Sequence, residues 1–166
     1  LDGVRVPVSA RIGAAGSGWT SHDKVMHQGI ILLAAQAIGG AARCLEDTVE
    51  YANVRTQFDK PLGAFQALSH YMADCSTNID GGRALVWEAA WNAAQGRSVA
   101  RFGPMAKLFA CNSYKDTTRK CAQIWGGVAF TIEYDTHLYF RRAKELQHSW
   151  WDTPYLEELV EADVLD

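Results

Sequence analysis

A stretch of twelve residues, 55–66, concentrates side chains that could do chemistry between two long helical patterns. It carries a guanidinium at Arg55, amides at Gln57 and Gln66, and aromatic rings at Phe58 and Phe65, around a Pro-Leu-Gly bend. A guanidinium donates paired hydrogen bonds in a fixed geometry that suits phosphates and carboxylates. Arg55 alone is explained equally well as a cation at a helix C-terminus. The whole string is longer and more varied than an ordinary helix connection.

A second candidate is the pair Gly126-Gly127, which follows a long apolar pattern. Two glycines let backbone N–H groups approach a ligand without obstruction by Cβ. The same pair can also be a simple helix stop.

Other common constellations are missing from the sequence. We find no Gly-rich phosphate loop, no G-x-S-x-G and no H-E-x-x-H. A di-iron site in a helical bundle needs two Glu-x-x-His pairs, and only Glu145 to His148 matches. We therefore expect no metal site, and a solvated helix face explains that pair.

Composition excludes several classes of protein. The net charge of −3 does not favour binding to nucleic acid or an anionic membrane surface. No apolar run approaches the ~18 residues of a membrane span, so we expect none. Four cysteines without a C-x-x-C pair predict buried free thiols in a reduced, cytoplasmic protein. The chain begins with Leu1 and shows no signal peptide, so we expect a piece of a longer protein whose targeting signal is not readable.

Helical periodicity dominates the chain after a short N-terminal segment. Apolar residues at spacings of three and four predict helices over about 20–55, 65–95, 104–125 and 135–150, and a short last helix with Thr153 as its N-cap. Long helices with short connections predict an all-α fold, an antiparallel, up-and-down four-helix bundle. Gly39-Gly40 costs helix propensity, so we expect a neighbour to approach closely there.

The N-terminal segment differs from the rest. Val4 to Val8 alternates as a short strand, and Gly13, Gly16 and Gly18 predict a loop after it. A single strand needs a partner for its backbone groups. We therefore assign 1–19 to the end of a preceding β domain with its linker, and 20–166 to the helical bundle.

Two strings together resemble the acyl-CoA dehydrogenase family. Residues 55–66, R-x-Q-F-x-K-P-L-x-x-F-Q, are similar to a helix-turn signature of its C-terminal helical domain. Residues 123–130 resemble its Q-x-x-G-G-x-G-F loop, although Ala129 replaces a Gly. Residues 141–144 are similar to its R-D-A-K, with Arg142 in place of Asp, and residues 4–7 to the last strand of its middle β domain. The resemblance covers nearly all of residues 1–149.

The resemblance implies a cofactor, a reaction and an assembly. In this family FAD lies between domains and reaches across a subunit interface, and the subunits form homo- or hetero-oligomers. The substrate is an acyl-CoA thioester, which loses hydrogen from its α- and β-carbons. The residues at the positions of the family's FAD contacts are Arg55, Gln57, Phe58, Phe65, Gln66, Gln123, Gly126 and Gly127.

The carboxylate base that this reaction requires is missing at the expected places. Most members carry a Glu at the position of Trp150, and a minority carry it on the first bundle helix, at the position of Gly29 or Ile30. Asp152 is a weak replacement two residues further on, and Asp23 and Glu133 are weaker still. A subunit that kept its FAD contacts and lost its base suggests the non-catalytic half of a heteromer.

Two other interpretations remain open. Flavin-dependent monooxygenases and oxidases share this fold and need no Glu over the substrate. A cofactor-free helical scaffold would use Arg55 and Gly126-Gly127 merely as helix ends. The sequence does not specify the acyl group.

Overall fold

The computed structural model describes residues 2–165, so Leu1 and Asp166, the outer ends of the two predicted segments, lie outside it. The elements are α1 (Gly18–Val54), β1 (Thr56–Gln57), β2 (Lys60–Pro61), α2 (Gln66–Ala94), α3 (Phe102–Trp125), α4 (Thr136–His148) and α5 (Thr153–Leu165), with 3-10 turns at Val8–Ala10, Leu62–Ala64 and Gly126–Phe130. The predicted four-helix bundle with a short C-terminal helix is confirmed.

Helix α3 lies at the centre of the bundle and packs against each of the other four helices. The core joins its Ala110 and Tyr114 to small side chains of α1, among them Ala34, Ala37 and Ala41, all fully buried. Small residues let two helix backbones approach closely. The buried alanines of α1 therefore face the core of the same chain.

The two adjacent glycines of α1 have different surroundings. A Cβ added at Gly40 would lie 2.6 Å from Cζ and Oη of Tyr114, whereas one added at Gly39 would meet nothing within 4 Å. The expected close approach is therefore confirmed at Gly40, where the neighbour is a buried aromatic ring of α3.

The N-terminal segment forms no strand within residues 2–165. Val8–Ala10 is a 3-10 turn, and the preceding residues are irregular and exposed. A strand requires backbone partners, and the only ladder among the described residues joins β1 to β2. Pairing with a preceding β domain stays a prediction.

The start of α5 differs by one residue from the sequence-based prediction. Asp152, not Thr153, is in the capping position, and its Oδ1 accepts a hydrogen bond from Tyr155 N at 3.4 Å. The Thr153 hydroxyl accepts a bond from Gln147 Nε2 instead, at 3.2 Å. A carboxylate at this position also favours the positive end of the helix dipole.

Composition does not by itself exclude a membrane-spanning helix, contrary to the sequence-based argument. Helix α1 has 37 residues and contains an 18-residue window of mean hydropathy 1.4, which is long and apolar enough to cross a bilayer. A core helix of a globular bundle meets the same criterion, and α1 packs against α2, α3 and α4 here. About a third of that window, 33%, is buried within the described residues.

The four cysteines are buried and unpaired, as predicted. They are Cys44, Cys75, Cys111 and Cys121, on three different helices. They fill small spaces in the core, as free thiols often do.

Candidate functional site

The connection between α1 and α2 is a tight hairpin that presents an aromatic ring to solvent. Strands β1 and β2 pair antiparallel, with Gln57 opposite Lys60, so Phe58 and Asp59 form a two-residue turn. Both turn residues have positive φ, 52° and 63°, as type I′ turns require. Such turns normally use Asn or Gly, so Phe58 is held in an unfavourable conformation with its side chain 87% exposed. A strained, exposed Phe points to a role in binding.

Arg55 lies where α1 ends and the hairpin begins. Its backbone N–H donates to Tyr51 O at 2.8 Å and its carbonyl accepts from Leu62 N at 2.9 Å, so both sides of the residue are fixed. The side chain is exposed, and within residues 2–165 its guanidinium has no carboxylate partner. A guanidinium on a fixed backbone without an internal partner is available to an anion.

Phe65 and Gln66 begin α2 beside the hairpin. The Phe65 ring lies edge-to-face with Phe58, with centroids 6.2 Å apart, and Lys60 Nζ is 4.1 Å from the Phe65 centroid. These contacts place a second cation near the Arg55 segment. The Gln57 side-chain amide donates a hydrogen bond to Thr56 O at 2.8 Å, within the hairpin itself.

The end of α3 has a backbone that only glycine adopts readily. Gly126 has φ 68° and ψ −143°, and its N–H caps the helix by donating to Ala122 O. A Cβ added at Gly126 or Gly127 would meet nothing within 4 Å, so both backbones face open space. Gly126 therefore ends the helix, and the same two glycines also leave space for a ligand to approach the backbone.

A groove of about 390 Å³ lies beside this turn and includes Gln123, Gly126 and Gly127 in its lining. Arg119, one turn earlier on α3, lines it too, and its Nη2 pairs with Asp116 at 3.0 Å. The groove thus combines a paired cation, an amide and unobstructed backbone with an apolar wall that includes Phe130 and Phe140. A role for Arg119 was not predicted from the sequence. Its spacing of four residues from Gln123 on one helix could have indicated it.

The two predicted strings meet at one end of the bundle. Tyr51, one turn before the end of α1, stacks on Trp125 at the end of α3, with centroids 4.0 Å apart and planes 10° apart. Trp125 Nε1 also donates to Thr48 Oγ1 at 3.0 Å. These contacts fix the C-termini of α1 and α3 side by side, so Arg55 and Gly126 belong to one surface region.

The two positions predicted for a base meet at the opposite end. A Cβ added at Gly29 would lie 2.0 Å from Cζ3 of Trp150, so the indole sits directly on the backbone of α1. Gly29 and Arg55 are 26 residues apart, about 39 Å along an α-helix. Neither position carries a carboxylate, and an aromatic ring occupies the space between them.

The three replacement carboxylates do not occupy that space. Asp152 caps α5, as described above, and Asp23 pairs with His27 at 3.4 Å. Glu133 is fully exposed, and a hydrogen bond from the Thr131 side chain lowers its pKa, opposite to the tuning of a buried base. Each of the three carboxylates therefore has a polar partner of its own.

A buried lysine beside this contact was also missed from the sequence. Lys107 of α3 is fully buried, and its Nζ donates to the carbonyl of Trp151. Burial lowers its pKa, while Cys111 and Asp152 oppose that shift. A lysine at a core position of the apolar α3 pattern is unusual, and this could have indicated Lys107 from the sequence.

Known proteins share both the sequence and the fold of this chain. Residues 16–148 match the family described as "Acyl-CoA dehydrogenase, C-terminal domain". The acyl-CoA dehydrogenase IpdE2 of Mycobacterium tuberculosis is 46% identical over 113 residues, 68% of this chain and 34% of that protein. The chain thus spans about a third of this relative.

Solved structures extend the comparison. Butyryl-CoA dehydrogenase from Megasphaera elsdenii superposes with a TM-score of 0.94 at 32% identity, covering 97% of this chain and 42% of that one. PigA, solved with FAD and proline, superposes with a TM-score of 0.92 at 27% identity, covering 96% of this chain and 42% of that one. The chain belongs to the acyl-CoA dehydrogenase family and contains its C-terminal helical domain.

Proposed function

We propose that this chain is the C-terminal domain of a subunit that binds FAD and packs in an oligomer of acyl-CoA dehydrogenase type, and that lacks its own catalytic base. The observation that carries the proposal is the combination of residues at the family's FAD-contact positions at one end with Trp150 seated on Gly29 at the other. The subunit then supports the chemistry of a partner that supplies the carboxylate.

The residues present fit an FAD pyrophosphate. Arg55 is exposed and has no carboxylate partner among residues 2–165, and Gly126 and Gly127 offer backbone that no Cβ obstructs. Gln123 and Arg119 line the adjoining groove. Bound FAD would accept the hydride from the β-carbon of an acyl thioester. The chain's own part is to hold the pyrophosphate through the Arg55 guanidinium, beside the unobstructed backbone of the two glycines.

The length of α1 supports sharing of cofactors between subunits. Arg55 and Gly29 lie about 39 Å apart along the helix. A pyrophosphate held at Arg55 is in the middle of FAD, and half of that cofactor extends over only a fraction of this distance. A flavin at the Gly29 end would therefore be a different molecule from the one held at Arg55, as an oligomer that shares cofactors between subunits provides.

The missing base supports a division of labour between unlike subunits. Removing the α-proton needs a carboxylate in contact with the substrate, with its pKa tuned to the task. The Gly29–Trp150 contact holds no such group, and Asp152, Asp23 and Glu133 are used elsewhere. A partner subunit with the base, together with this subunit's FAD contacts, would form one complete site.

The FAD role is tested by Arg55→Ala in the full-length protein, with Arg83→Ala as a control. Arg83 is also an exposed arginine, paired with Asp80 at 2.6 Å on α2, away from the hairpin. We expect Arg55→Ala to lower FAD retention after gel filtration and Arg83→Ala to leave it unchanged. Equal FAD content in both variants would refute the role of Arg55, and absence of FAD from the wild type would support a cofactor-free scaffold instead.

The heteromer is tested on protein purified from its native source. Intact masses and flavin absorbance give the number of FAD molecules per chain. A second polypeptide with one FAD per two chains supports the proposal. A single polypeptide that oxidises an acyl-CoA by itself would refute it.

A second candidate is a flavin-dependent monooxygenase or oxidase of the same fold. The likeness to PigA, solved with FAD and proline, fits a flavoprotein of this fold whose ligand is not an acyl-CoA. Loss of the base is compatible with chemistry in which oxygen reacts with a reduced flavin. Rapid oxygen consumption by the reduced full-length protein, without acyl-CoA oxidation, would favour this candidate.

A further inference from the structure

Trp150 and Gly29 form a matched pair across two segments of the chain. An added Cβ at Gly29 would lie 2.0 Å from Cζ3 and 2.6 Å from Cη2 of the Trp150 ring. Real Cβ atoms do not approach carbon so closely, so any other residue at position 29 would displace the indole. The ring is nevertheless 50% exposed, so its other side faces away from the bundle.

The backbone of Trp150 is held in a costly conformation. Its φ is 59°, which is unfavourable for a bulky residue. Such a conformation persists only where neighbouring contacts determine it. Before it, Ser149 N and Oγ both donate to Glu145 O, at 2.9 and 2.7 Å.

The contacts after Trp150 fix the loop as firmly. Buried Lys107 donates to the Trp151 carbonyl, and the Trp151 ring packs edge-on against His27 of α1, with centroids 4.7 Å apart. Leu156 N donates to Asp152 O at 3.0 Å where α5 begins. The loop is therefore anchored to α1, α3, α4 and α5, and these contacts fix the position of Trp150.

The exposed side of the indole lies within an apolar strip of α1. Val25 and Leu32 are 60% and 74% exposed and share a helical face with Gly29 by their spacing of four and three residues. The Trp150 ring lies over Gly29 in the middle of this strip, so the apolar surface there is one ring thickness further from the helix axis. In an enzyme subunit, such a wall would bound an apolar ligand pocket.

Resting on the proposed function, we propose that Trp150 is a plug that occludes this subunit's acyl pocket, and that Gly29 is the space that receives it. In this proposal the acyl pocket of this subunit has no base and is filled by the Trp150 ring. An acyl-CoA therefore does not bind at a place where it could not react. Lys107 is a positioning residue, because it holds the Trp151 carbonyl and through it the ring.

The test counts butyryl-CoA sites on the full-length assembly by isothermal titration calorimetry. Butyryl-CoA is chosen because it is named for the solved relative from Megasphaera elsdenii. We expect Trp150→Ala to gain one site per copy of this chain over the wild type. The control Trp87→Ala, which removes an indole 69% exposed on α2, should gain none.

Two results would overturn the plug. One is wild-type protein that already binds one butyryl-CoA for each copy of this chain, in addition to its partner's sites. The other is Trp150→Ala that gains no site. FAD content, measured on the same samples, separates these results from failure of the proposed function, since the plug concerns acyl binding and Arg55 concerns flavin retention.

A double-mutant cycle tests the contact even where acyl binding is not measurable. Gly29→Ala should lower the urea midpoint in the wild type, because the new Cβ collides with the ring. In a Trp150→Ala background the same change should raise the midpoint, because alanine favours helix over glycine. Equal effects in both backgrounds would refute the contact.

Discussion

Replacing each of two adjacent glycines of α1 by alanine should change stability in opposite directions. Gly39 and Gly40 occupy the same helix interior, so both gain about 1 kcal/mol of helix propensity as alanine. An added Cβ meets nothing within 4 Å at Gly39. Gly39→Ala should therefore stabilise the bundle by about 1 kcal/mol.

Gly40→Ala adds a collision to the same gain. Its Cβ would lie 2.6 Å from Cζ and Oη and 2.9 Å from Cε1 of Tyr114. That ring is 1% exposed and cannot move into solvent. Overpacking of a core costs about 1–3 kcal/mol, and three close ring atoms place this case near 3. The net loss is then about 2 kcal/mol, so the two variants should differ by about 3 kcal/mol.

Urea unfolding followed by far-UV circular dichroism measures the difference. The slope with urea should stay the same in both variants, so that the midpoints report stability. In a Tyr114→Leu background, Gly40→Ala should recover a stabilising effect, because the colliding ring atoms are gone. If Gly40→Ala stabilises the wild type as much as Gly39→Ala does, the packing argument is wrong.

Two further predictions concern a backbone and a titration. Gly126→Ala should destabilise the protein by about 1–3 kcal/mol, because φ 68° with ψ −143° is a conformation nearly restricted to glycine. The control Gly127→Ala should change stability little. Equal urea midpoints for the two variants would contradict this prediction. Burial, with a hydrogen bond to Asp47 at 2.8 Å, raises the pKa of Tyr139 from 10.0 to about 12. The folded state therefore keeps this proton where the unfolded state loses it, and stability falls as the pH rises from 10 to 12. Tyr139→Phe should show a smaller fall in its urea midpoint over this pH range, and an identical fall would refute the assignment.

The helices were predictable because their apolar residues repeat with the helical period. Each of the four predicted bundle helices ends within two residues of the structure. The capping residue of α5 was not predictable, because Asp152 and Thr153 are both good N-caps. The choice depends on Gln147, which engages the Thr153 hydroxyl from α4.

The hairpin at 56–61 was also missed, although the string containing it was singled out. Its turn, Phe58-Asp59, lacks the Asn or Gly that normally signals positive φ. The strain is accepted there because surrounding contacts, such as Leu62 N to Arg55 O, close the loop. Local preference therefore pointed away from the conformation that the chain adopts.

The sequence by itself determined the fold class and the family, because these follow from residue type and spacing along one chain. Only the tertiary structure decided that Gly29 and Trp150, 121 residues apart, are in contact. It also decided that Arg55 and Gly126 share one end of the bundle, through the Tyr51–Trp125 stack. Contacts between distant segments depend on how helices pack, and that is a property of all the interdigitating side chains together.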